Sequence, residues 1–412
     1  RPGQKRSEVD SAGRELRVLG IDRARSGQNV VLTLDLPLQR EITRLLAEEL
    51  PRFEAASAVA LDPRDGQVLA MVHLPTYDNN VFSRELSDEE FRGLLDDPRR
   101  PLVNGAIAEA FSPGSIFKIV TAVAALQLDV VKPDTKFECT GALTFPSREA
   151  PGGIGRIPCW AVHGPQDIAT ALANSCNVFF YQIGGGDPRG EPQGVGIERL
   201  GEWAKAFGLG EATGVDLPNE VDGFFPSQAW KRRTYRDAWV RGDTYNVSIG
   251  QGYLAATPIQ FANVAAAIAN GGRLYRPRVV LRTTDERGAT LRHFRPELVR
   301  DLRLDPSKLA LVQRGLRYGL QIGRTENGTT FTGTSWEWDL RDLPIAGKTG
   351  TAEWGKPEAS GHLPTHGWFA GYAPYDAPQI ALSIFLKRGR GPNDAARLAR
   401  RVFAYYFGVA EV

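Results

Sequence analysis

The stretch Gly114-Ser-Ile-Phe-Lys-Ile-Val-Thr-Ala-Val-Ala-Ala-Leu126 is apolar, free of internal proline and preceded by Pro113. A proline just ahead of a first helical turn fits a helix start. Residues three apart on a helix share a face, so Ser115 and Lys118 can touch. A lysine buried near the opening of a helix loses charge through desolvation and through the positive end of the dipole. A neutral amine beside a hydroxyl is a competent base. The pair reads as a serine nucleophile with its proton acceptor. By itself the pattern is weak: about one or two Ser-x-x-Lys matches are expected by chance in a chain this long. An ordinary N-terminal helix turn reads the same way.

Two further strings change the weight. Ser175-Cys-Asn177 begins 60 residues after Ser115, and Lys348-Thr-Gly-Thr351 begins 171 residues after Asn177. Alone, Ser175-x-Asn177 reads equally as a helix cap, and Lys348-Thr-Gly-Thr351 as an exposed strand end with a bulge. Together and in this order they supply a nucleophile, a base, a second hydroxyl, an amide and a cationic edge for a carboxylate. Gly350 lacks a side chain, so that strand edge can approach a substrate backbone closely. The set describes acyl transfer through a serine ester.

Those three strings match the pattern of serine penicillin-recognising enzymes. Pro113-Gly-Ser115, Ser248-Ile-Gly-Gln-Gly252, Thr257-Pro-Ile-Gln260 and Ala346-Gly-Lys-Thr-Gly-Thr-Ala-Glu353 resemble class B penicillin-binding proteins. Pro75-Thr-Tyr-Asp-Asn-Asn80 and the Cys159-Trp160 and His163-Gly164 pairs resemble their elongation-type branch, that of penicillin-binding protein 2. The likeness runs from about Asn29 to Phe407. One departure is Ile116, where the family usually has Thr; it is expected to point along the helix and leave the chemistry intact.

The resemblance implies a D,D-transpeptidase that cross-links peptidoglycan stem peptides and is acylated by β-lactams. In it Ser115 is the nucleophile, Lys118 its base and Ser175 a proton relay. Asn177 bonds Lys118 and the substrate amide, while Lys348, Thr349, Gly350 and Thr351 bind substrate. No cofactor is needed for that chemistry. The other readings are a D,D-carboxypeptidase, a β-lactamase-type hydrolase, or a non-catalytic β-lactam sensor. The implied place is the outer face of the cytoplasmic membrane, beside a SEDS-type glycan polymerase.

The 412 residues are 42% hydrophobic and 24% charged, ordinary content for a globular chain. A net charge of +2 carries no nucleic-acid footprint. No run approaches the 18 apolar residues of a membrane span. The chain starts at Arg1 and its one methionine is Met71, so the expectation is a processed or truncated piece. The resemblance implies a missing membrane anchor and pedestal, with residues 1–50 as linker and pedestal remnant and 51–412 as the transpeptidase domain.

Residues 29–34 read as a strand, 38–50 as a helix, and 56–62 with 67–73 as a hairpin around Arg64-Asp-Gly66. The region 160–340 reads as mostly helical. Residues 343–353, 366–373 and 379–387 read as strands, and 394–406 as a closing helix. Strands at both ends with helices between give an α+β fold: an antiparallel sheet flanked by helices, with a mostly helical lobe at about 78–340 inserted. Trp368 and Phe369 read as core, and Gly250-Gln-Gly252 as a tight turn behind the site.

Cys139, Cys159 and Cys176 fall within 38 positions, with His163 among them. Four soft ligands in one short segment suit a closed tetrahedral zinc site, and some elongation-type relatives have a metal in this region. A Cys139–Cys159 disulfide suits an oxidising compartment, and three unlinked buried thiols are the third reading. His73, His293 and His362 form no cluster and read as surface or structural residues.

Overall fold

The computed structural model describes residues 2–24, 26–146, 153–358 and 361–410. Its centre is a five-stranded antiparallel sheet assembled from both ends of the chain. Helix α1 (Leu36–Glu49) comes first. The Asp35 carboxylate accepts the Leu38 N–H at 3.0 Å and Pro37 fills the first turn, a standard helix opening. The hairpin β1 (Ala55–Leu61) and β2 (Val68–Leu74) follows. The inserted segment supplies α2 (Lys118–Gln127), α3 (Ile168–Ala173), α4 (Asn177–Gly185), α5 (Pro258–Ala269) and α6 (Pro306–Tyr318). Then come β3 (Ala346–Glu353), β4 (Thr365–Ala373), β5 (Ile380–Lys387) and α7 (Ala396–Phe407).

The sheet order is β3-β4-β5-β1-β2, every neighbouring pair antiparallel. Side chains alternate across it, as the pleat requires. From β4, Trp368, Ala370 and Tyr372 enter the core of the helical lobe, while Phe369 and Ala373 enter the core beneath α1 and α7. Both faces are covered, so β4 and β5 read as near-continuous apolar runs. α5 crosses β4, β5 and β1, while α6 touches both α3 and β3. The helix before the second motif and the strand bearing the third therefore lean on a shared support.

Two features add to the expectations. The stretch 1–50 carries regular structure. Residues 4–9 and 15–22 pair as an exposed hairpin, residues 29–32 pair with 280–284, and α1 lies on the sheet. The reason is spacing: Leu38, Ile42, Leu45 and Leu46 share one face of α1 and are all buried. The lobe also holds more strand than expected, at 137–146, 154–166, 273–301 and 322–332. These strands are three to five residues long, too short to show a period of two.

Ile42 is fully buried in the core shared with β1 and β5. Ile42→Ala should lower unfolding stability by about 2–5 kcal/mol, read from urea denaturation. A loss under about 0.5 kcal/mol, as at an exposed site, would show that α1 is not part of this core.

Candidate active site

Ser115 lies on a tight turn, Gly114–Phe117, that runs directly into α2 at Lys118. In such a tight turn residues three apart eclipse, so the two side chains share a face. The turn is clamped from several sides. The Gly114 N–H donates to the Gly250 carbonyl at 2.9 Å. The Trp368 indole donates to the Ser112 carbonyl at 3.0 Å. Phe111 and Ala256 exchange two backbone hydrogen bonds. A Cβ on Gly250 would lie 2.0 Å from the Gly114 oxygen, so the 250–252 turn does sit directly behind Ser115. Ser115 itself is half-buried, while Ile116 and Phe117 are fully buried.

Lys118 is fully buried, and its amine meets the second motif. Nζ lies 2.8 Å from the Ser175 carbonyl, 2.6 Å from Asn177 Oδ1 and 3.1 Å from Ser175 Oγ. The first two partners only accept. A neutral amine has two donors for them and keeps its lone pair for a hydroxyl proton. Burial lowers the amine's pKa to about 8. Ser175 occupies the left-handed region at φ +52°, between α3 and α4. That conformation turns both its carbonyl and its hydroxyl toward Lys118.

The third motif lies on β3, an edge strand of the sheet. It touches the Ser115 turn backbone to backbone. A Cβ on Gly350 would come within 2.6 Å of the Pro113 carbonyl, and one on Gly114 within 2.9 Å of the Thr351 carbonyl. The missing side chain at Gly350 thus admits the Ser115 turn, where the sequence pointed to substrate. Ile116 Cγ2 packs at the same spot, 3.3 Å from such a Cβ. Thr351 is exposed, and Thr349 Oγ1 lies 2.7 Å from Thr334 Oγ1. Lys348 departs from the expected cationic edge. It is buried, donates to the Thr349 carbonyl at 3.0 Å, and is held well below the usual lysine range by desolvation and by nearby Lys118.

The cysteines lie against the second motif. Donor atoms of Cys139, Cys159, His163 and Cys176 all lie within 4.8 Å of one another, and all three cysteines are free thiols. The Cys159 sulfur accepts the Asn177 N–H at 3.2 Å. Next to it, the Trp160 indole donates to the Ser175 carbonyl at 3.1 Å. Neither Trp160 nor Thr334 could be assigned these contacts from sequence, because both meet residues of other elements. His73 bonds Ser57 at 2.8 Å, and His366 stacks on Trp354, so both are structural.

The family model for the penicillin binding protein transpeptidase domain matches residues 56–404, a span that holds all three motifs and their contacts. The chain belongs to this family. It is 34% identical to "Peptidoglycan D,D-transpeptidase MrdA" of Haemophilus influenzae over 97% of its own length, and spans 59% of that relative. Penicillin-binding protein 2 of Pseudomonas aeruginosa, in complex with WCK 5153, superposes with a TM-score of 0.77 at 30% identity, covering 92% of this chain and 79% of that one. A chain of a peptidoglycan synthase complex gives 0.81 at 33% identity, covering 100% and 69%. These likenesses are those of a class B, elongation-type member.

The Lys118 amine should titrate near pH 8, protonated below and neutral above, whereas exposed lysines titrate near about 10.4. Carbon-13 NMR of labelled lysine measures it directly, with Lys118→Arg identifying the resonance. A Lys118 signal that titrates with the exposed lysines would refute the neutral-amine reading.

Proposed function

We propose that this chain is a D,D-transpeptidase that cross-links peptidoglycan stem peptides through a Ser115 ester, and that β-lactams acylate the same serine. The observation that carries the reading is the buried Lys118 amine, bonded to Ser175 and Asn177 and one turn from a half-buried serine.

Ser115 Oγ attacks the carbonyl of a terminal D-Ala–D-Ala bond and passes its proton to Lys118 Nζ. The backbone N–H groups of Ser115 and Thr351 face the developing oxyanion; losing one such donor typically costs about 2.7–4 kcal/mol of barrier. Ser175 Oγ, 3.1 Å from Nζ, relays the proton to the departing amine. Asn177 fixes Lys118 and the substrate amide. Thr349 and Thr351 hold the terminal carboxylate, a charge-assisted contact. Lys348, whose buried amine feels nearby Lys118, gains proton affinity when that carboxylate arrives. Substrate lies along the outer edge of β3 as an added strand. An amine from a second stem peptide then attacks the ester.

Among the described residues, no helix is long and apolar enough to cross a membrane. We place the reaction at the outer face of the cytoplasmic membrane, beside a SEDS-type glycan polymerase. The likeness to a chain of a peptidoglycan synthase complex supports this.

We also propose a structural zinc held by Cys139, Cys159, His163 and Cys176. The donor set fits: a tetrahedral ion with bonds of about 2.0–2.3 Å spaces its ligands about 3.3–3.8 Å apart, and His163 Nδ1 is 3.5 Å from the Cys139 sulfur and 3.6 Å from the Cys159 sulfur. Hydrogen bonds from Cys139 and then Cys176 hold the Cys159 thiol well below its usual range, while those with Cys139 and Cys159 push the Cys176 thiol up. Such an ion would cross-link the strands around 139 and 163 to the Ser175 loop. It would take no part in the acyl transfer.

Intact mass spectrometry after incubation with a penicillin should show one stable adduct, which peptide mapping places on Ser115. Ser115→Ala should abolish it. An adduct that survives in that variant would remove the nucleophile assignment.

Elemental analysis after dialysis should find about one zinc per chain, and none in Cys139→Ser. Less than a tenth of an equivalent in the parent chain would sink the zinc proposal and leave the acylation chemistry untouched.

A further inference from the structure

Beside the Ser115 turn the chain builds a surface that the acyl transfer does not use. The helix Gln228–Tyr235 opens on a Ser227 cap and carries Trp230 and Tyr235. With Tyr253 these rings form a trio in which each touches the other two, at centroid distances of 5.0–5.5 Å. Phe224 packs against Trp230 at 4.7 Å. Backbone pairing joins the trio to the Ser115 segment. Phe224 and Ala255 exchange two hydrogen bonds, Ala256 and Phe111 two more, and Tyr253 follows the 250–252 turn that backs Ser115. Tyr235 is 54% exposed, so the trio reaches water. Charge gathers at the same place. Residues 227–243 hold five basic and two acidic side chains, a surplus of three where the whole chain carries +2. Both acids go to one partner: Asp237 and Asp243 clasp the buried Lys231 amine at 3.0 and 2.7 Å. Arg232, Arg233 and Arg236 are exposed and have no ion pair among the described residues.

We propose that this face binds the glycan strand of peptidoglycan. Sugar rings lie on the Trp230–Tyr235–Tyr253 trio, and Arg232, Arg233 and Arg236 pair with carboxylates of the peptides that hang from the strand. The inference rests on the transpeptidase reading, which makes that polymer the substrate. A pyranose presents an apolar C–H face, which the electron-rich face of an aromatic ring attracts; its hydroxyls stay in water. Arginine forks match carboxylates bidentately, and a basic surplus raises the local concentration of an anionic polymer. A lipid surface fits less well, since the helix carries no leucine, isoleucine or phenylalanine to insert. Anchoring the strand here tethers its stem peptides beside Ser115, which raises their effective concentration at the site.

Co-sedimentation with purified, insoluble peptidoglycan sacculi tests this, with penicillin acylation of Ser115 as the control for folding. The parent should be retained. Tyr235→Ala and the double variant Arg232→Glu/Arg233→Glu should each weaken apparent affinity about tenfold, while acylating at the parent rate. In about 1 M sodium chloride, where charges are screened within about 3 Å, the double variant should bind as the parent does and Tyr235→Ala should still be weaker. Sacculi that retain both variants within about twofold of the parent overturn the glycan face. Capture of the parent by anionic phospholipid vesicles but not by sacculi also overturns it. Either result leaves the acylation, and with it the transpeptidase reading, untouched. A parent chain that penicillin does not acylate overturns that reading instead.

Discussion

An amine with no room for its charge is the constraint on which the site depends. Burying a charged lysine without a counter-ion costs far more than a fold of this size can spare. For Lys118, a pKa lowered to about 8 brings the neutral amine within easy reach near neutral pH, and its two donors are then satisfied by one loop, through the Ser175 carbonyl and Asn177 Oδ1. The loop must then be held at the left-handed turn of Ser175, a conformation strained for a residue with a side chain. Its supports come from separate parts of the lobe. The Cys159 sulfur accepts the Asn177 N–H, the Trp160 indole donates to the Ser175 carbonyl, and the Thr332 N–H donates to Asn174. The cysteine cluster, the tryptophan and the 330–334 segment all brace the loop that receives this amine.

The second constraint is distance. The Ser115 turn and β3 meet at Gly114 and Gly350, with Gly391 against the Gly350 carbonyl on another side. Side chains at these points would force backbones apart, and a displacement of about 1 Å from productive geometry can cost about a hundredfold in rate. The five-stranded sheet makes the approach reproducible. β3 is an edge strand, but β4 behind it is covered on both faces, and Trp368 of β4 itself bonds Ser112. The sheet core is thus wired directly to the segment that carries Ser115.

Much of this was legible in the sequence, for a physical reason. Ser115 and Lys118 are three residues apart, so local helical geometry alone brings them together. The central strands and α7 carry long apolar patterns, and the family resemblance supplied the order in which distant segments meet. Other features were hidden. The burial of Lys348 depends on packing around β3 that no local pattern encodes, so a lysine that reads as an exposed cation is enclosed. The neighbour that requires Gly350 could not be read either, because the Pro113 carbonyl is more than 200 positions away. Trp160 and Thr334 act through contacts with other elements, and the lobe's strands are too short to show alternation.

The two lysines together explain why such a site would select a substrate ending in a carboxylate. Both amines are buried, and desolvation together with nearby Lys118 holds Lys348 well below the usual lysine range. A carboxylate arriving at Thr349 would change that asymmetrically. It lies against the strand that carries Lys348, so the opposite charge raises that amine's proton affinity first. Lys118, facing Ser175 and Asn177, keeps its lone pair for Ser115. In the proposed reaction, binding therefore sorts the protons: the substrate's own charge makes one lysine an electrostatic clamp and leaves the other a base. A peptide lacking the terminal carboxylate would leave Lys348 uncharged, and the electrostatic part of recognition would be lost before any bond was broken.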